Sequence, residues 1–442
     1  MTDVTQTRPG ARIERVIGSY TKGRTGPTLI CVCGVHGNEP AGGVAAEKIL
    51  DGLCGDEPET FKGRFVALTG NIAAKTRPDG ACRYIDRDLN RLFTAENVGE
   101  ARALDPSRRS PEQREMVELL DALEAEFATA DGPVYVLDLH TFSSRGFPFG
   151  AIEDSLAARA FAKRFPIPFI LGMEEELHGL FIDYVGRTYA HVAMIFEGGV
   201  HHEEQAVDAH LAAIRIALSA TGIVPDSDIE SPLRVLARDA GVRSGRFYDI
   251  RHCEPIGDPS FEMVEGIESA DPVRRGCVVA NELGAPRAAP VGGIMFLPNR
   301  NAGRRAGDDG FFIIQRVDLL SMWLSQRLRQ RLIHRLAPHV LPGVRRIPDH
   351  PDRLLVAPEI AVIFKRELFH LLGYRIERRG EVEHRSLGAR AWLGLGAALR
   401  AVSKVARGLF HGGERGVLPH ERPDDWIVAR RTLDMRDAAN HQ

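Results

Sequence analysis

The 442-residue sequence has only six cysteines, scattered at positions 31, 33, 54, 82, 253 and 277. That is too few, and too dispersed, for a disulfide framework in a chain of this length, and it predicts a reduced, cytoplasmic protein. No run approaches the roughly 18 uninterrupted apolar residues of a membrane-spanning helix. The opening MTDVTQTRPGAR has no apolar core of the kind a secretory signal carries. Charge of one sign is also missing: 57 Lys+Arg against 60 Asp+Glu leave a net charge of -3. With a pI of about 6.6, this argues against a dedicated nucleic-acid binder. Glycine pieces such as Gly42-Gly43 are not followed by Gly-Lys-Ser/Thr, so there is no phosphate loop. Internal repeats and low-complexity tracts are absent too.

At 44% hydrophobic and 26% charged, the composition is that of a globular protein. The length allows about three domains. Residues 301–442 hold 25 Lys+Arg and 16 Asp+Glu, so a basic C-terminal third follows an acidic body. Four short runs, Thr28–Cys33 (TLICVC), Phe65–Thr69 (FVALT), Val134–Leu139 (VYVLDL) and Val192–Phe196 (VAMIF), are apolar on both alternations. Such runs suit strands buried on both faces. Helical patterns separate them. Ser110 and Gln113 read as a capping box ahead of Met116, Leu119, Leu120, Leu123 and Phe127, which share one helical face. Strands alternating with helices predict an α/β domain over residues 1–225. From 226 to 317, short β-like pieces punctuated by Gly and Pro predict a small all-β domain. Residues 318–442 are predicted to form a basic, partly helical extension. Leu320, Leu324, Leu328, Leu332 and Leu336 form a stripe four residues apart, read as the core face of a surface helix, and Ala391–Val405 is a second helical candidate.

Polar residues gather just beyond the carboxyl ends of the apolar runs, where open α/β sheets place their sites. The first run leads into GVHGNEP, with His36 and Glu39; the third ends in His140; the fourth ends in Glu197. The second leads through Asn71 toward RYIDRDLNR, which offers Arg83, Arg87, Arg91 and Asn90, with Asp86 and Asp88 to neutralise and orient the arginines. Two imidazoles and a carboxylate match the ligand count of a hydrolytic zinc site with one open position. Zinc lowers the pKa of bound water to about 7. A glutamate beside it takes the proton of that water and passes it to a leaving nitrogen. Arginine matches a carboxylate through two parallel hydrogen bonds and stabilises a developing oxyanion. His201-His202 read as the opening of the next helix, Cys31 and Cys33 as small core residues, and Cys82 as a site-lining neighbour of Arg83.

GVHGNEP, RYIDRDLNR, DLH and the strand-terminal Glu of FEGG, in that order, resemble the succinylglutamate desuccinylase/aspartoacylase family over roughly residues 25–315. The resemblance implies a zinc carboxypeptidase-like mixed sheet with helices on both faces. It also implies one Zn2+ per chain on His36, Glu39 and His140, with Glu197 as general base and acid. Arg83 would polarise the scissile carbonyl, and Asn90 and Arg91 would hold a substrate carboxylate. RYIDRDLNR is closer to the deacylase branch than to the peptidase branch, whose corresponding loop is of an Asn-Arg-Asn type. One departure is Asn71-Ile72, where the family commonly has Asn-Pro.

The resulting expectation is a zinc-dependent amidohydrolase acting on a small acylated amino acid or related amide. It has no nucleic-acid partner and no transmembrane segment, and it fits a homo-oligomer as well as a monomer. A metallocarboxypeptidase-like enzyme and a non-catalytic binding protein with a vestigial site are the alternatives.

Overall fold

The computed structural model describes residues 13–56, 59–143, 146–300, 304–331, 341, 344–347, 350–356, 365–377 and 427–431. They fall into two compact units that divide between Arg316 and Val317.

The first unit is built on one mixed sheet. Its N-terminal half contains β1 (Val16–Thr21), β2 (Thr28–Cys33), β3 (Arg64–Thr69), β4 (Val134–Phe142), β5 (Phe149–Ile152), β6 (Phe169–Leu171) and β7 (Val192–Val200). Further along come β8 (Phe247–Pro255), β9 (Glu262–Met263), β10 (Pro272–Val273), β11 (Val278–Glu282), β12 (Ala285–Ala288), β13 (Gly293–Phe296) and β14 (Asp309–Arg316). Eleven of these strands form a sheet in the order β1-β3-β2-β4-β7-β5-β6-β8-β14-β13-β10. The central β3-β2-β4-β7 strands run parallel, and β5 pairs with β7 antiparallel. All four apolar runs read from the sequence are therefore adjacent strands, with His140 directly opposite Glu197 in the β4–β7 register.

Continuous apolar runs are needed here because both faces are covered. Ile30, Val32, Val66, Leu68 and Val136 pack with Met116, Leu119, Leu120 and Leu123 of the helix Pro111–Ala128. The alternate residues Leu29, Cys31, Phe65 and Leu137 are equally buried, on the side of helices Ala41–Asp56 and Glu204–Ala220, which pack together. The capping box is present, with Ser110 Oγ accepting from Gln113 N and Gln113 Oε1 accepting from Ser110 N.

Residues 226–317 differ from the expected all-β pattern at their start. Glu230–Ala240 is a helix whose buried residues are Pro232, Leu236 and Ala240; a helical stripe interrupted by charges was overshadowed by the Gly- and Pro-rich strands that follow. Strands β8, β14, β13 and β10 continue the main sheet, whereas β12-β11-β9 form a small separate one. A second core, including Phe261, Met263, Val279, Met295 and Phe311, lies within this segment.

The second unit contains the expected helix, Leu319–Gln330, but of its leucine stripe Leu328 is buried and Leu324 partly so while Leu320 is exposed; Leu332, Leu336 and the Ala391–Val405 candidate lie outside the described residues. It also contains an antiparallel sheet that sequence reasoning did not anticipate. β15 (Val344–Ile347), β16 (His350–Val356), β17 (Tyr374–Glu377) and β18 (Ile427–Arg431) order as β15-β16-β18-β17. Arginines occupy half of VRRI and much of IVARR, which hides the strand pattern. Leu328, Val344, Leu354, Phe369 and Tyr374 make its core. Among the described residues no helix is long and apolar enough to cross a membrane.

Candidate metal centre

The β2 strand ends at Cys33 and the chain turns through Gly34 at positive φ into GVHGNEP. Gly37 is required by a close approach: a Cβ there would sit 2.5 Å from the carbonyl carbon of Ala74 and the nitrogen of Lys75. Its N–H donates to Arg83 O at 3.2 Å, fastening the turn to the RYIDRDLNR loop. Gly198 has a similar role within β7, where a Cβ would meet the imidazole of His210 at 2.2 Å.

His36, Glu39 and His140 are all buried, and their donor atoms lie within 4.8 Å of one another. Glu39 Oε1 is 2.8 Å from His36 Nδ1, and Glu39 Oε2 is 3.1 Å from His140 Nδ1. The two Nδ1 atoms are 3.2 Å apart. Their outer nitrogens face carboxylates: His36 Nε2 lies 3.1 Å from Asp88 Oδ1 and His140 Nε2 lies 2.9 Å from Asp138 Oδ2. Carboxylates behind both rings orient metal-binding imidazoles and raise their basicity. Two facing Nδ1 atoms and a carboxylate at these distances share a positive charge, which either a proton or a metal ion supplies. This donor set therefore fits a divalent metal such as zinc, which accepts N and O ligands.

The three groups interact strongly. Burial alone raises the Glu39 pKa, but His36 and His140 outweigh it and hold the carboxyl well below its usual range. Burial alone lowers the His140 pKa, yet Asp138 and Glu39 bring it well above the ordinary histidine value. Glu39 Oε2 also accepts from Thr141 N at 2.9 Å.

Glu197, at the end of β7, is pushed up to about 8 by burial, with Glu39 adding to the shift and His140 and Arg83 opposing it. Its Oε2 is buried with no hydrogen-bond partner among the described residues. Arg83 Nη1 is 3.7 Å from Glu39 Oε1, while Arg83 Nε and Nη2 donate to Asp88 Oδ2 at 3.1 and 2.9 Å. Asp88 thus serves Arg83 and His36 together, as the sequence led one to expect of an orienting carboxylate. Asp86 takes a different part, its backbone N–H donating to Glu112 Oε2.

Asn90 and Arg91 also line the cleft, but both have protein partners. Asn90 Oδ1 accepts from Phe181 N at 2.8 Å, at the start of the helix Phe181–Tyr189. Arg91 Nη1 donates to Asn90 O and its Nη2 to Asp309 Oδ2 at 2.6 Å. The cleft has a volume of about 850 Å³, and its lining brings together His36, Arg83, Asn90, Arg91, His140 and Glu197. Leu297 and residues 304–309 line it from the segment after β13. Arg305 lies over the Tyr84 ring, 5.4 Å from its centroid.

Several cleft residues had no readable signal. Asp309 is distant in sequence from the arginine it pairs with. His201 precedes a helix as expected, yet it lines the cleft with Nδ1 2.6 Å from Thr141 Oγ1. The Asn71-Ile72 departure has a structural counterpart: Asn71 caps the short helix Ile72–Lys75, and the Ile72 N–H, which proline would lack, donates to Glu115 Oε2 at 2.9 Å. Arg145 lies outside the described residues.

A His–Glu–His set that could hold a metal ion lies at the carboxyl edge of a parallel sheet, with the half-buried Glu197 and Arg83 beside it. Residues 25–217 match the model of the family described as succinylglutamate desuccinylase/aspartoacylase catalytic domain. A succinylglutamate desuccinylase/aspartoacylase structure from Rhodobacter sphaeroides is 20% identical, with 67% of this chain and 87% of that one covered at a TM-score of 0.49. The product-bound ectoine utilization protein EutE (DoeB) from Ruegeria pomeroyi is also 20% identical, covering 66% and 86% at a TM-score of 0.49. The succinylglutamate desuccinylase from Chromobacterium violaceum is 20% identical, covering 67% and 86% at 0.47. No curated protein sequence matches the chain.

Proposed function

We propose that this chain is a zinc-dependent hydrolase that cleaves the amide bond of an N-acyl amino acid or a related small amide. The observation that carries this reading is the convergence of His36 Nδ1, His140 Nδ1 and the Glu39 carboxylate beside the buried, unpartnered Glu197 Oε2. His36, Glu39 and His140 would hold the zinc, which supplies Lewis-acid polarisation and a lowered pKa for water. Glu197 takes a proton from the attacking water and returns it to the departing nitrogen, a task suited to a carboxyl raised toward neutrality. Arg83, held in orientation by Asp88, stabilises the negative charge that develops on the carbonyl oxygen. Asn90 and Arg91 are assigned to a substrate carboxylate, and gripping one requires Arg91 to share or exchange its Asp309 contact. Gripping the substrate at a second point makes the attack effectively intramolecular. The six free cysteines fit a reducing cytoplasm.

The test is amine release from a panel of N-acetyl and N-succinyl amino acids with acidic, basic and neutral side chains. Wild type and Glu197→Gln are assayed side by side after zinc loading. Wild type is expected to release amine, and Glu197→Gln to turn over about 10²–10⁴-fold more slowly with its zinc retained. Cleavage of longer peptides in preference to acyl amino acids would favour a carboxypeptidase-like enzyme. A wild-type chain without zinc and without turnover would indicate a binding protein.

A further inference from the structure

Ser110-Pro111-Glu112-Gln113 opens the helix Pro111–Ala128, and Glu112 and Glu115 lie three residues apart on one face of it. Acidic residues in the opening turns of a helix are ordinarily solvated, and one in the first turn, as Glu112 is, favours the helix dipole. Here both are buried, with Glu112 fully enclosed and Glu115 5% exposed. Each carboxylate accepts from two consecutive backbone N–H groups of the loop that runs past the metal centre. Glu115 Oε2 and Oε1 accept from Ile72 N and Ala73 N at 2.9 and 3.0 Å, and Arg15 Nη2 also donates to Oε2 at 2.6 Å. Glu112 Oε1 and Oε2 accept from Ile85 N and Asp86 N at 2.7 and 3.2 Å. One helix end therefore grips the loop at both of its ends.

The Glu112 grip sits between the two residues of the loop that face the centre. Arg83 lies just before Ile85 and Asp88 just after Asp86. Asp88 in turn contacts His36 Nε2 at 3.1 Å and accepts from Asn90 N at 2.9 Å. No regular ladder holds residues 83–88, so side-chain acceptors must satisfy and fix this backbone. We propose that Glu112 is a positioning residue for the candidate metal centre, holding the loop so that Asp88 orients the His36 imidazole. The proposal rests on the zinc reading of that centre.

Glutamine at 112 keeps one acceptor but turns an NH₂ group toward a backbone N–H, leaving buried donors face to face. The experiment measures zinc affinity of the full chain by competition with a chromophoric chelator, with thermal midpoints taken in parallel. Wild type is expected to bind one zinc. Removing the carboxylate behind a metal-binding histidine costs about 10–100-fold in affinity, which sets the expectation for Asp88→Asn. Glu112→Gln should lose about tenfold, near the lower end of the same range. The Glu112→Gln/Asp88→Asn double variant should bind no more weakly than Asp88→Asn alone, because residues acting through one path are not additive.

Glu282→Gln is the control. Glu282 likewise accepts from two backbone N–H groups, of Gly257 and Asp258, but it does not line the cleft. Its substitution should lower the thermal midpoint and leave zinc affinity unchanged. Should Glu112→Gln not accumulate, Glu112→Asp keeps the charge with a shorter reach and should also weaken zinc binding. Wild-type zinc affinity in a folded Glu112 variant, or losses that add in full in the double variant, would overturn the proposal alone. A wild type that binds no zinc would overturn it together with the proposed function.

Discussion

The two halves of the candidate site are built by different means. His140 and Glu197 sit at the ends of adjacent parallel strands, and His36 and Glu39 lie in the turn that follows a third. Ladder hydrogen bonds and a core covered on both faces set their positions. Arg83, Asp88, Asn90 and Arg91 sit on a loop with little regular structure, where Glu112 and Asp309 supply partners. The first half is positioned by burial of apolar surface, and the second by individual polar contacts. Strand ends therefore tolerate changes around them, whereas each loop contact is a separate point of failure.

The strand half should break most completely. His140→Ala removes one of three metal donors and leaves Glu39 with a single imidazole, so zinc content by elemental analysis should fall to near zero and turnover with it. A retained equivalent of zinc would show that the strand ends are not the binding site. Breaking the loop half should separate binding from chemistry. Arg83→Ala is expected to retain zinc while kcat falls about 10²–10³-fold, the usual cost of one donor to a developing oxyanion. An unchanged kcat would remove Arg83 from the reaction.

A smaller effect is expected where the loop meets the strand Asp309–Arg316. Asp309 occupies an Nη2 position of Arg91 that a substrate carboxylate would need. Asp309→Asn should lower KM for a carboxylate-bearing substrate by several-fold, as expected for a contact worth about 1 kcal/mol. A raised KM would mean that Asp309 orients Arg91 rather than competing for it.

The smallest effect lies outside the site. Burial works against ionisation of Glu282, but Arg287 and the N–H groups of Asp258 and Gly257 outweigh it and lower its pKa. Because the folded value lies below the unfolded one, the ionised carboxylate stabilises the fold above the usual glutamate range. That contribution disappears as pH falls through the lowered value. Glu282→Gln should cost about 1–3 kcal/mol near neutrality, the penalty for disrupting buried charge-assisted bonds. The difference from wild type should shrink in acid, as urea titrations at several pH values would show. A constant difference would mean that packing, not charge, holds this corner.

The strand half was largely legible in the sequence. TLICVC, FVALT, VYVLDL and VAMIF announce themselves because strands buried on both faces cannot alternate with polar residues. The residues immediately after them inherit their placement. The loop half was legible only in part. RYIDRDLNR shows which side chains are available, but the bond from Asn90 Oδ1 to Phe181 N and the pairing of Arg91 with Asp309 join segments remote in sequence. Glu112 and Glu115 carried no signal because acidic residues in the opening turns are the ordinary composition of a solvated helix end. The C-terminal sheet escaped notice because arginine interrupts its short strands.

Local pattern thus specified the α/β character of the N-terminal region, the candidate ligands and the candidate general base, since apolar periodicity and strand-end polarity are properties of neighbouring residues. Tertiary packing decided that Asp88 stands behind His36, whether an arginine faces substrate or an aspartate, and that two glutamates of one helix turn inward to hold a distant segment. Those outcomes depend on contacts between segments far apart in the chain, and no short window of sequence encodes which of several available partners a charged group will meet.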